Sequence, residues 1–250
     1  MSSCGSPGFV AVDAALQVYL LGTLDFETAL RFQRRLQYDV SGDRSQAVLI
    51  VCEHAPLITV GRHGSHAHIL CSSAEMRARQ WSVRWVNRGG GCLLHAPGQL
   101  AVYPIFALDR LGLTIPEYLD RLHDVVRTLL ADFNVDSQMR ATRPGVWAGT
   151  RPLAAVGVSV RDWVSYFGAW INVNPDLEPF RWLRWGGTAD EPMTSLVRER
   201  RGPVHMSLVR ERLIEHMREG FGFGSLTLFS DHPALRGSTT RCQETARNAH

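Results

Sequence analysis

The chain has 250 residues and a mass of 27.9 kDa, 45% of its residues are apolar, and its formal net charge is +3 at pH 7. Such a chain can bury one substantial core, whereas its longest apolar runs, such as residues 47–52, are too short to cross a membrane. The start lacks the basic and apolar regions of a secretory signal, and the five cysteines contain no Cys-x-x-Cys pair. We therefore expect a monomeric, cytoplasmic protein without a metal site.

All 27 basic residues are arginine, and the chain contains no lysine. This absence excludes chemistry that needs an amine, such as a Walker-type phosphate loop, a Schiff base or a lysine general base. The small net charge also disfavours nucleic acid as a partner, because proteins that bind it usually carry a denser basic surface.

The first half of the chain combines one amphipathic segment with short apolar runs. Residues 17–21 predict a strand, and apolar residues at helical spacing in 25–38 predict a helix. The β-rich runs at 47–52, 57–60 and 81–87 are separated by proline and glycine, which predicts strands joined by loops.

The second half contains the clearest helix. Thr114 and Glu117 fit a capping box, and apolar residues at helical spacing continue from there to Leu130. The other predicted elements are strands at 145–148, 153–160 and 166–173 and a second capped helix at 207–219.

The order of these elements predicts the fold class. Strands and helices do not alternate regularly, so we predict an α+β domain with a mixed, largely antiparallel sheet and helices packed on one side. This domain spans residues 1–230. Residues 231–250 are polar without apolar periodicity, which predicts a disordered tail.

The most informative segment is 87–100, where three consecutive glycines follow Arg88 and precede Cys92 and His95. Consecutive glycines let backbone amides approach a ligand closely, either to hold an anion or to line the path of an extended acyl chain. Gly-Gly-Gly alone is typical of a flexible hairpin. The neighbouring guanidinium and imidazole groups favour a ligand site.

Several motifs occur in an order that resembles a known protein family. They lie at residues 21–26, 53–56, 59–62, 88–90, 95–100, 103–105, 145–147, 154–158, 168–172 and 194–196. In this pattern the chain is similar to the lipoyl(octanoyl) transferases, also called lipoate-protein ligase B, of the biotin and lipoate ligase fold. The Arg-Gly-Gly segment and the His-Ala-Pro-Gly-Gln-Leu segment are its most specific parts.

The resemblance implies a reaction and its partners. Such enzymes move an octanoyl group from the thioester of acyl carrier protein to a lysine of a lipoyl domain, through an acyl-cysteine intermediate and without a cofactor. The acceptor domains belong to 2-oxoacid dehydrogenases or are the glycine cleavage H protein. A thiolate accepts the acyl group readily, and a nearby ammonium lowers the pKa of the thiol.

This sequence departs from the family at both catalytic positions. The family lysine aligns with Pro152, and the family cysteine falls at about Gly186. No cysteine lies between Cys92 and Cys242, so a local shift of the alignment does not restore the nucleophile. Activity therefore requires other groups.

Cys92 and His95 are the remaining catalytic candidates. Cys92 is the one thiol in the predicted acyl-binding loop, where a bent backbone would bring His95 near its sulfur. A straight strand would instead direct the two side chains to opposite faces, and Cys92 would then be a small apolar core residue.

The resemblance also implies which residues bind the acyl group and its carrier. The predicted substrate-binding residues are Arg88, Gly89, Gly90, Gly91, Cys92, Leu93, Leu94, His95, Ala155, Val156, Gly157, Gly168, Ala169 and Trp170. Acyl carrier proteins are typically acidic, so we expect arginines near this loop, at positions 62, 88 and 184, to attract the carrier.

Three functions are compatible with these observations. In the first, the acceptor lysine attacks the thioester directly, His95 handles the proton and loop amides stabilise the oxyanion. In the second, the protein is a pseudoenzyme that binds an acyl group or its carrier without turnover. The third, an ATP-dependent lipoate or biotin ligase, is disfavoured because such ligases use a lysine near the activated phosphate. We favour the acyltransferase.

Overall fold

The computed structural model describes residues 12–140, 143–185 and 192–235. Within these ranges the chain forms eleven strands, five α-helices and three short 3-10 helices. The strands are β1 (Val12–Thr23), β2 (Ala47–Glu53), β3 (Leu57–Val60), β4 (Ser82–Trp85), β5 (Cys92–His95), β6 (Gln99–Phe106), β7 (Gln138–Arg140), β8 (Arg143–Ala148), β9 (Arg151–Arg161), β10 (Val164–Asn172) and β11 (Phe223–Phe229). The α-helices are α1 (Phe26–Gly42), α2 (Ser73–Ala78), α3 (Ile115–Asp132), α4 (Leu196–Arg200) and α5 (Met206–Gly220), and the 3-10 helices are His66–His68, Glu178–Trp182 and Pro233–Leu235.

The strands form two sheets. The larger has eight strands in the order β11-β1-β2-β6-β10-β9-β8-β7, and the smaller has the order β4-β3-β5. In the larger sheet β1 is parallel to β11 and β2, and the other neighbours are antiparallel. The predicted α+β class with a mixed, largely antiparallel sheet is confirmed.

The helices cover both faces of the larger sheet, so the prediction of helices on one side is wrong. One face packs Leu49, Val51 and Val102 against α3 and α5. The other face packs Val48 and Tyr103 against α1. The reason is that β2 and β6 are central strands buried at nearly every position, and such strands need apolar cover on both sides.

The three predicted helices are confirmed as α1, α3 and α5. Thr114 and Glu117 form the predicted capping box of α3, with the Glu117 carboxylate accepting from the Thr114 backbone amide at 2.8 Å. The predicted side-chain cap of α5 is wrong, because this helix begins at Met206 after His205, which makes no capping hydrogen bond. α5 instead gains stability by packing its apolar face against α3.

The chain on either side of residue 230 forms two elements that the sequence analysis did not predict, a strand and a 3-10 helix. β11 adds a parallel edge strand that the sequence pattern does not predict, because most of its residues are exposed. The His232 ring then lies 4.7 Å from the Phe32 ring centre, and a 3-10 helix follows at Pro233–Leu235. The rest of the predicted tail, 236–250, lies outside the described residues.

None of the helices in the described ranges is both long enough and apolar enough to span a membrane.

Candidate functional site

The segment Arg88–Gly91, which we call the glycine loop, is held by backbone hydrogen bonds on two sides. The Gly89 amide donates to the Val158 carbonyl at 3.0 Å, at the edge of β9. On the other side, the carbonyls of residues 88, 90 and 91 accept from the amides of residues 62, 63 and 61 at 2.9–3.1 Å. The loop is therefore a fixed link between the two sheets rather than a flexible hairpin.

Two glycines are required by the backbone at this link. Gly90 has φ +80°, a conformation that favours glycine. A Cβ on Gly157 would lie 2.6 Å from the Gly89 carbonyl oxygen, which leaves no room for a side chain on β9. The position of the glycine loop therefore requires Gly157 in β9 and Gly90 in the loop itself.

Arg88 is buried beneath the loop, with 3% of its surface exposed. Its Nη2 donates to Thr59 Oγ1 at 2.8 Å and to the Thr59 carbonyl at 3.1 Å, and its Nη1 donates to the Gly89 carbonyl at 3.0 Å. The guanidinium carbon lies 5.2 Å from the Trp170 ring centre. Burial lowers the pKa of Arg88 to about 10, so the group is still charged at neutral pH. Because it is buried, Arg88 is not available at the surface, and attraction of the carrier by the exposed Arg62 and Arg184 stays a prediction.

Cys92 and His95 lie on opposite faces of β5. Cys92 Sγ donates to the Ser65 carbonyl at 3.3 Å and packs with Ile58 and Leu94. His95 is fully buried on the other face, where its Nε2 lies 2.9 Å from Thr59 Oγ1. β5 is a regular strand whose successive side chains alternate between faces, so the straight-strand alternative applies and this thiol does not pair with this imidazole.

The electrostatics also disfavour an activated thiol. Burial raises the pKa of Cys92, an effect that the Ser65 hydrogen bond and the Arg88 charge only partly oppose. Burial, together with the nearby His54 and Arg88, holds the pKa of His95 well below its ordinary value. At neutral pH both groups are uncharged.

A series of buried hydrogen bonds, which our sequence predictions missed, ends at the indole nitrogen of Trp170. His54 Nδ1 lies 2.7 Å from the Leu24 carbonyl, which only accepts, so Nδ1 carries the proton. His54 Nε2 then accepts from the Tyr103 hydroxyl at 2.7 Å, and that hydroxyl accepts from Trp170 Nε1 at 3.2 Å. The family motifs at 53–56 and 103–105 contain His54 and Tyr103, so they were the sequence signal that could have identified these hydrogen bonds.

Eight of the predicted binding residues surround a narrow cavity under the glycine loop. They are Arg88, Gly90, Gly91, Cys92, Leu93, Ala155, Val156 and Trp170, and Trp185 completes the wall. The cavity measures about 10 Å³, roughly the space of one water molecule. The glycine loop and β9 therefore meet as expected, but the space between them does not hold an acyl chain.

The other predicted binding residues lie elsewhere. Gly89 and Gly157 line a neighbouring groove. Leu94, His95, Gly168 and Ala169 line neither space, and a role for them in binding stays a prediction. A Cβ on Gly168 would lie 2.2 Å from the Val102 carbonyl oxygen, so this glycine permits close contact between β10 and β6.

The groove that Gly89 and Gly157 line, which we call the α3 groove, is much larger. It measures about 790 Å³ and runs between the glycine loop and α3, with Ile115, Leu119 and Met139 on its apolar side. It shares Gly90 and Val156 with the narrow cavity. Arg62 is exposed at this groove.

A third space lies on the far side of Trp185, and we call it the arginine-rimmed pocket. It measures about 520 Å³, and Pro152, at the family's lysine position, is part of its wall. Gly186, at the family's cysteine position, lies outside the described residues. Arg184, predicted to attract the carrier, is exposed at this pocket, and Trp185 separates it from the narrow cavity.

Comparison with known proteins shows which family this chain is similar to. The family model described as the lipoyl protein ligase A/B catalytic domain matches residues 25–218. The octanoyltransferase of Geotalea uraniireducens is 37% identical, with 77% of this chain and 87% of that protein covered. The octanoyltransferase of Porphyromonas gingivalis is 32% identical over 80% of this chain, which spans only 43% of that longer protein.

Solved structures show the same fold. A putative lipoate protein ligase from T. acidophilum with bound lipoic acid has a TM-score of 0.68 at 16% identity, with 92% of this chain and 95% of that chain covered. A lipoate-protein ligase A bound with ATP has a TM-score of 0.66 at 16% identity, with coverage of 90% and 92%. The sequence resemblance is confirmed, and the chain belongs to the lipoyl protein ligase A/B catalytic domain family.

Proposed function

We propose that this protein is an acyltransferase of protein lipoylation, which moves an octanoyl or lipoyl group from acyl carrier protein to a lysine of a lipoyl domain. Its relatives named octanoyltransferase support acyl transfer. The observation that carries the proposal is the α3 groove, a space of about 790 Å³ bordered by the glycine loop, whose wall combines Ile115, Leu119 and Met139 with polar residues such as Asp120 and His123. Ligand pockets of this size and character are typical for small apolar groups.

In this proposal the alkyl chain lies along Ile115, Leu119 and Met139, and the thioester carbonyl lies at the glycine loop. Gly89 and Gly90 leave room for that carbonyl because neither carries a side chain. Backbone amides of the loop would stabilise the negative charge that develops on the carbonyl oxygen. Arg62 at the groove supplies attraction for an acidic carrier.

The reaction proceeds by direct aminolysis. The neutral amine of the acceptor lysine attacks the thioester carbon, the C–N bond forms and the C–S bond breaks. The sulfur leaves with the carrier's arm and takes the proton that the amine loses. His95 is not the base in this scheme, which replaces its predicted role, because its ring is fully buried beside Thr59.

A second candidate function is binding of the acyl group or its carrier without turnover. The placement of Cys92 and His95 on opposite faces of β5 favours it, since the site in the described ranges then contains no paired nucleophile and base. Pro152, which stands at the family's lysine position, also favours binding without turnover.

The two functions are separated by incubating the protein with octanoyl carrier protein and a lipoyl domain, without ATP, and weighing all species by intact mass. Transfer predicts a lipoyl domain heavier by one octanoyl group. A lipoyl domain whose acceptor lysine is replaced by arginine is the control for uncatalysed acylation elsewhere. Carrier binding without a mass change would favour the binding protein.

Ile115→Trp tests the placement of the chain. Ile115 is 40% exposed at the start of α3, so tryptophan there fills the groove without disturbing the core. We expect this variant to lose transfer while its free energy of unfolding changes little. Full transfer by Ile115→Trp would show that the acyl chain lies elsewhere.

A further inference from the structure

Three polar side chains are buried beneath the glycine loop without lining the α3 groove. His54 follows β2, Tyr103 lies in β6 and Trp170 lies in β10, and each is at most 1% exposed. None of the three is among the described residues that line the groove. Polar groups buried this deeply cost free energy unless each is hydrogen-bonded, and apolar residues of similar volume would fill the same space. What these groups provide beyond packing is the direction of their hydrogen bonds.

The hydrogen bonds of these side chains have a single direction. The Leu24 carbonyl only accepts, so His54 Nδ1 donates to it at 2.7 Å and His54 Nε2 is an acceptor. The Tyr103 hydroxyl therefore donates to that nitrogen at 2.7 Å, and its oxygen accepts from Trp170 Nε1 at 3.2 Å. Each donor of this set, which we call the His54 network, has an acceptor, and one arrangement of protons satisfies it. The network therefore fixes the position and the plane of the Trp170 indole.

The Trp170 indole in turn contacts Arg88. The guanidinium carbon lies 5.2 Å from the centre of the ring, a distance at which the aromatic face stabilises a cation. No carboxylate in the described ranges forms an ion pair with Arg88, so this face is one of its few stabilising contacts. Arg88 Nη1 donates to the Gly89 carbonyl at 3.0 Å. The place of the indole therefore sets the place of the guanidinium, and the guanidinium that of the glycine loop.

The glycine loop lies close against β9, so its position there has little freedom. The Gly89 amide donates to the Val158 carbonyl at 3.0 Å, and the Gly89 carbonyl oxygen would lie 2.6 Å from a Cβ at Gly157. In the proposed transfer, the loop amides stabilise the charge that develops on the thioester oxygen. Because such stabilisation depends on donors held in exact places, a shift of the loop slows the chemical step more than it weakens binding.

We infer that His54, Tyr103 and Trp170 are positioning residues, which hold the glycine loop through Arg88 in the geometry that the transfer requires. The inference rests on the proposed function, and it adds side chains that lie outside the groove where the acyl group binds. The Tyr103 hydroxyl is the central member, because it bonds both His54 and Trp170. Removing this hydroxyl breaks the network at two points and leaves the aromatic ring in place.

Tyr103→Phe tests the inference, with octanoyl transfer to the lipoyl domain as the first measurement. We expect kcat to fall at least about tenfold, because the loop loses its fixed position, and KM for octanoyl carrier to change less than about twofold. Tyr118→Phe is the matched control, since it also removes one hydroxyl from a fully buried tyrosine but lies on α3, in the core on the other face of the sheet. It should leave both constants unchanged.

Hydrogen exchange measured by NMR follows the loop itself and needs no activity. The Gly89 amide is bonded to Val158, so its exchange rate reports whether the loop is held against β9. We expect Tyr103→Phe to speed exchange of this amide at least about tenfold relative to the amides of α3 that exchange most slowly. A loss of global stability would speed both kinds of amide alike, so a purely structural role would leave their ratio unchanged.

Two substitutions at His54 provide a second test that does not depend on the folding of Tyr103→Phe. His54→Leu removes the acceptor of the Tyr103 hydroxyl and should reproduce the fall in kcat and the faster Gly89 exchange. His54→Gln supplies an amide oxygen at a similar distance along the side chain, so it should restore most of the rate and most of the protection. A packing role alone would not distinguish an acceptor from an apolar side chain in this way.

These results separate the inference from the proposed function. If the unsubstituted protein transfers nothing, the proposed function fails, and the exchange rates still decide whether the His54 network holds the loop. The inference is overturned if Tyr103→Phe leaves either kcat or the relative exchange of Gly89 unchanged, or if KM rises while kcat stays the same. It is also overturned if Tyr118→Phe has the same effects as Tyr103→Phe, or if His54→Gln behaves like His54→Leu.

Discussion

The Thr59 hydroxyl accepts a hydrogen bond of 2.8 Å from Arg88, and both groups are buried. The same hydroxyl lies 2.9 Å from His95 Nε2, so one side chain on β3 fixes the guanidinium under the glycine loop and the imidazole behind it. In the described part of the chain no carboxylate pairs with Arg88. The positive charge of Arg88 is therefore stabilised by neutral oxygen acceptors and by the Trp170 ring.

Thr59→Val should destabilise the fold by about 2 kcal/mol, because it leaves a buried charge with one acceptor fewer at unchanged side-chain volume. Urea unfolding measures the difference. Thr59→Ser keeps the hydroxyl and is the control, with an expected loss of less than about 1 kcal/mol. Equal stability of the valine variant and the unsubstituted protein would show that Arg88 does not need this bond.

Gly157→Ala should weaken binding in the α3 groove by displacing the glycine loop. Its new Cβ would lie 2.6 Å from the Gly89 carbonyl oxygen, so the loop has to move. We expect binding of octanamide, a neutral probe for the groove, to fall at least tenfold while circular dichroism shows a folded protein. Gly224→Ala is the control, since no atom lies within 4 Å of a Cβ there. Gly90→Val would be a poorer test, because φ +80° strains any side chain at that position.

The buried histidines predict that stability falls with acid. His54 and His95 have pKa values lowered mainly by burial, so both are neutral in the folded state and protonate near pH 6.5 when unfolded. Below this pH the unfolded chain binds more protons, and its free energy falls relative to the folded state. Stability from this source is complete above about pH 7 and is lost as the pH falls towards the folded pKa values. At pH 5.5 the loss is at most about 1.4 kcal/mol per histidine.

Urea unfolding at about pH 7.5 and pH 5.5 measures this loss. The His54→Asn/His95→Asn variant should show a smaller difference between the two pH values, with a remainder from His123, whose pKa is also lowered by burial. His63→Asn, at an exposed position, should keep the full difference. A pH dependence of unchanged size after removal of both buried histidines would assign the effect to other groups.

Carrier binding should weaken as salt rises, because it rests on attraction between exposed arginines and an acidic partner. Arg62 is exposed at the α3 groove, and it replaces the buried Arg88 as the residue to test. We expect carrier affinity to fall between about 50 mM and about 300 mM salt, and Arg62→Gln to reduce that dependence. Arg35→Gln, on α1, should leave the salt dependence unchanged. Affinity independent of salt would contradict electrostatic docking.

Local sequence patterns predicted the helices well, but they did not predict which residues and elements contact one another in the fold. The helical spacing before Leu130 and the Thr114 capping box depend on nearby residues, and both predictions were correct. The burial of Arg88 depends on Thr59, 29 residues earlier, and arginine is ordinarily exposed. Covering both faces of the sheet depends on β2 and β6 lying side by side, which local periodicity does not reveal.

In the predicted site, too, some features could be predicted from sequence motifs, whereas others depend on contacts between distant residues. The meeting of the glycine loop with β9 followed from ordered family motifs, which record long-range contacts that composition does not. The size of the space between them depends on Trp185, whose indole lies 5.4 Å from that of Trp147 and closes the narrow cavity. Side-chain volume from a distant segment therefore sets the size of the narrow cavity.

Cys92 has no covalent role in direct aminolysis. Its sulfur packs away from His95 and its pKa is raised by burial, so the structure disfavours an acyl-cysteine at this position. We expect Cys92→Ala to transfer octanoyl groups at close to the unsubstituted rate, with a stability loss of about 1 kcal/mol for the missing sulfur. We also expect brief exposure of the unsubstituted protein to octanoyl carrier to leave its mass unchanged. An added octanoyl mass that hydroxylamine removes, and that Cys92→Ala lacks, would instead establish Cys92 as the acyl carrier. Direct aminolysis would then be wrong, and β5 would have to bend during turnover.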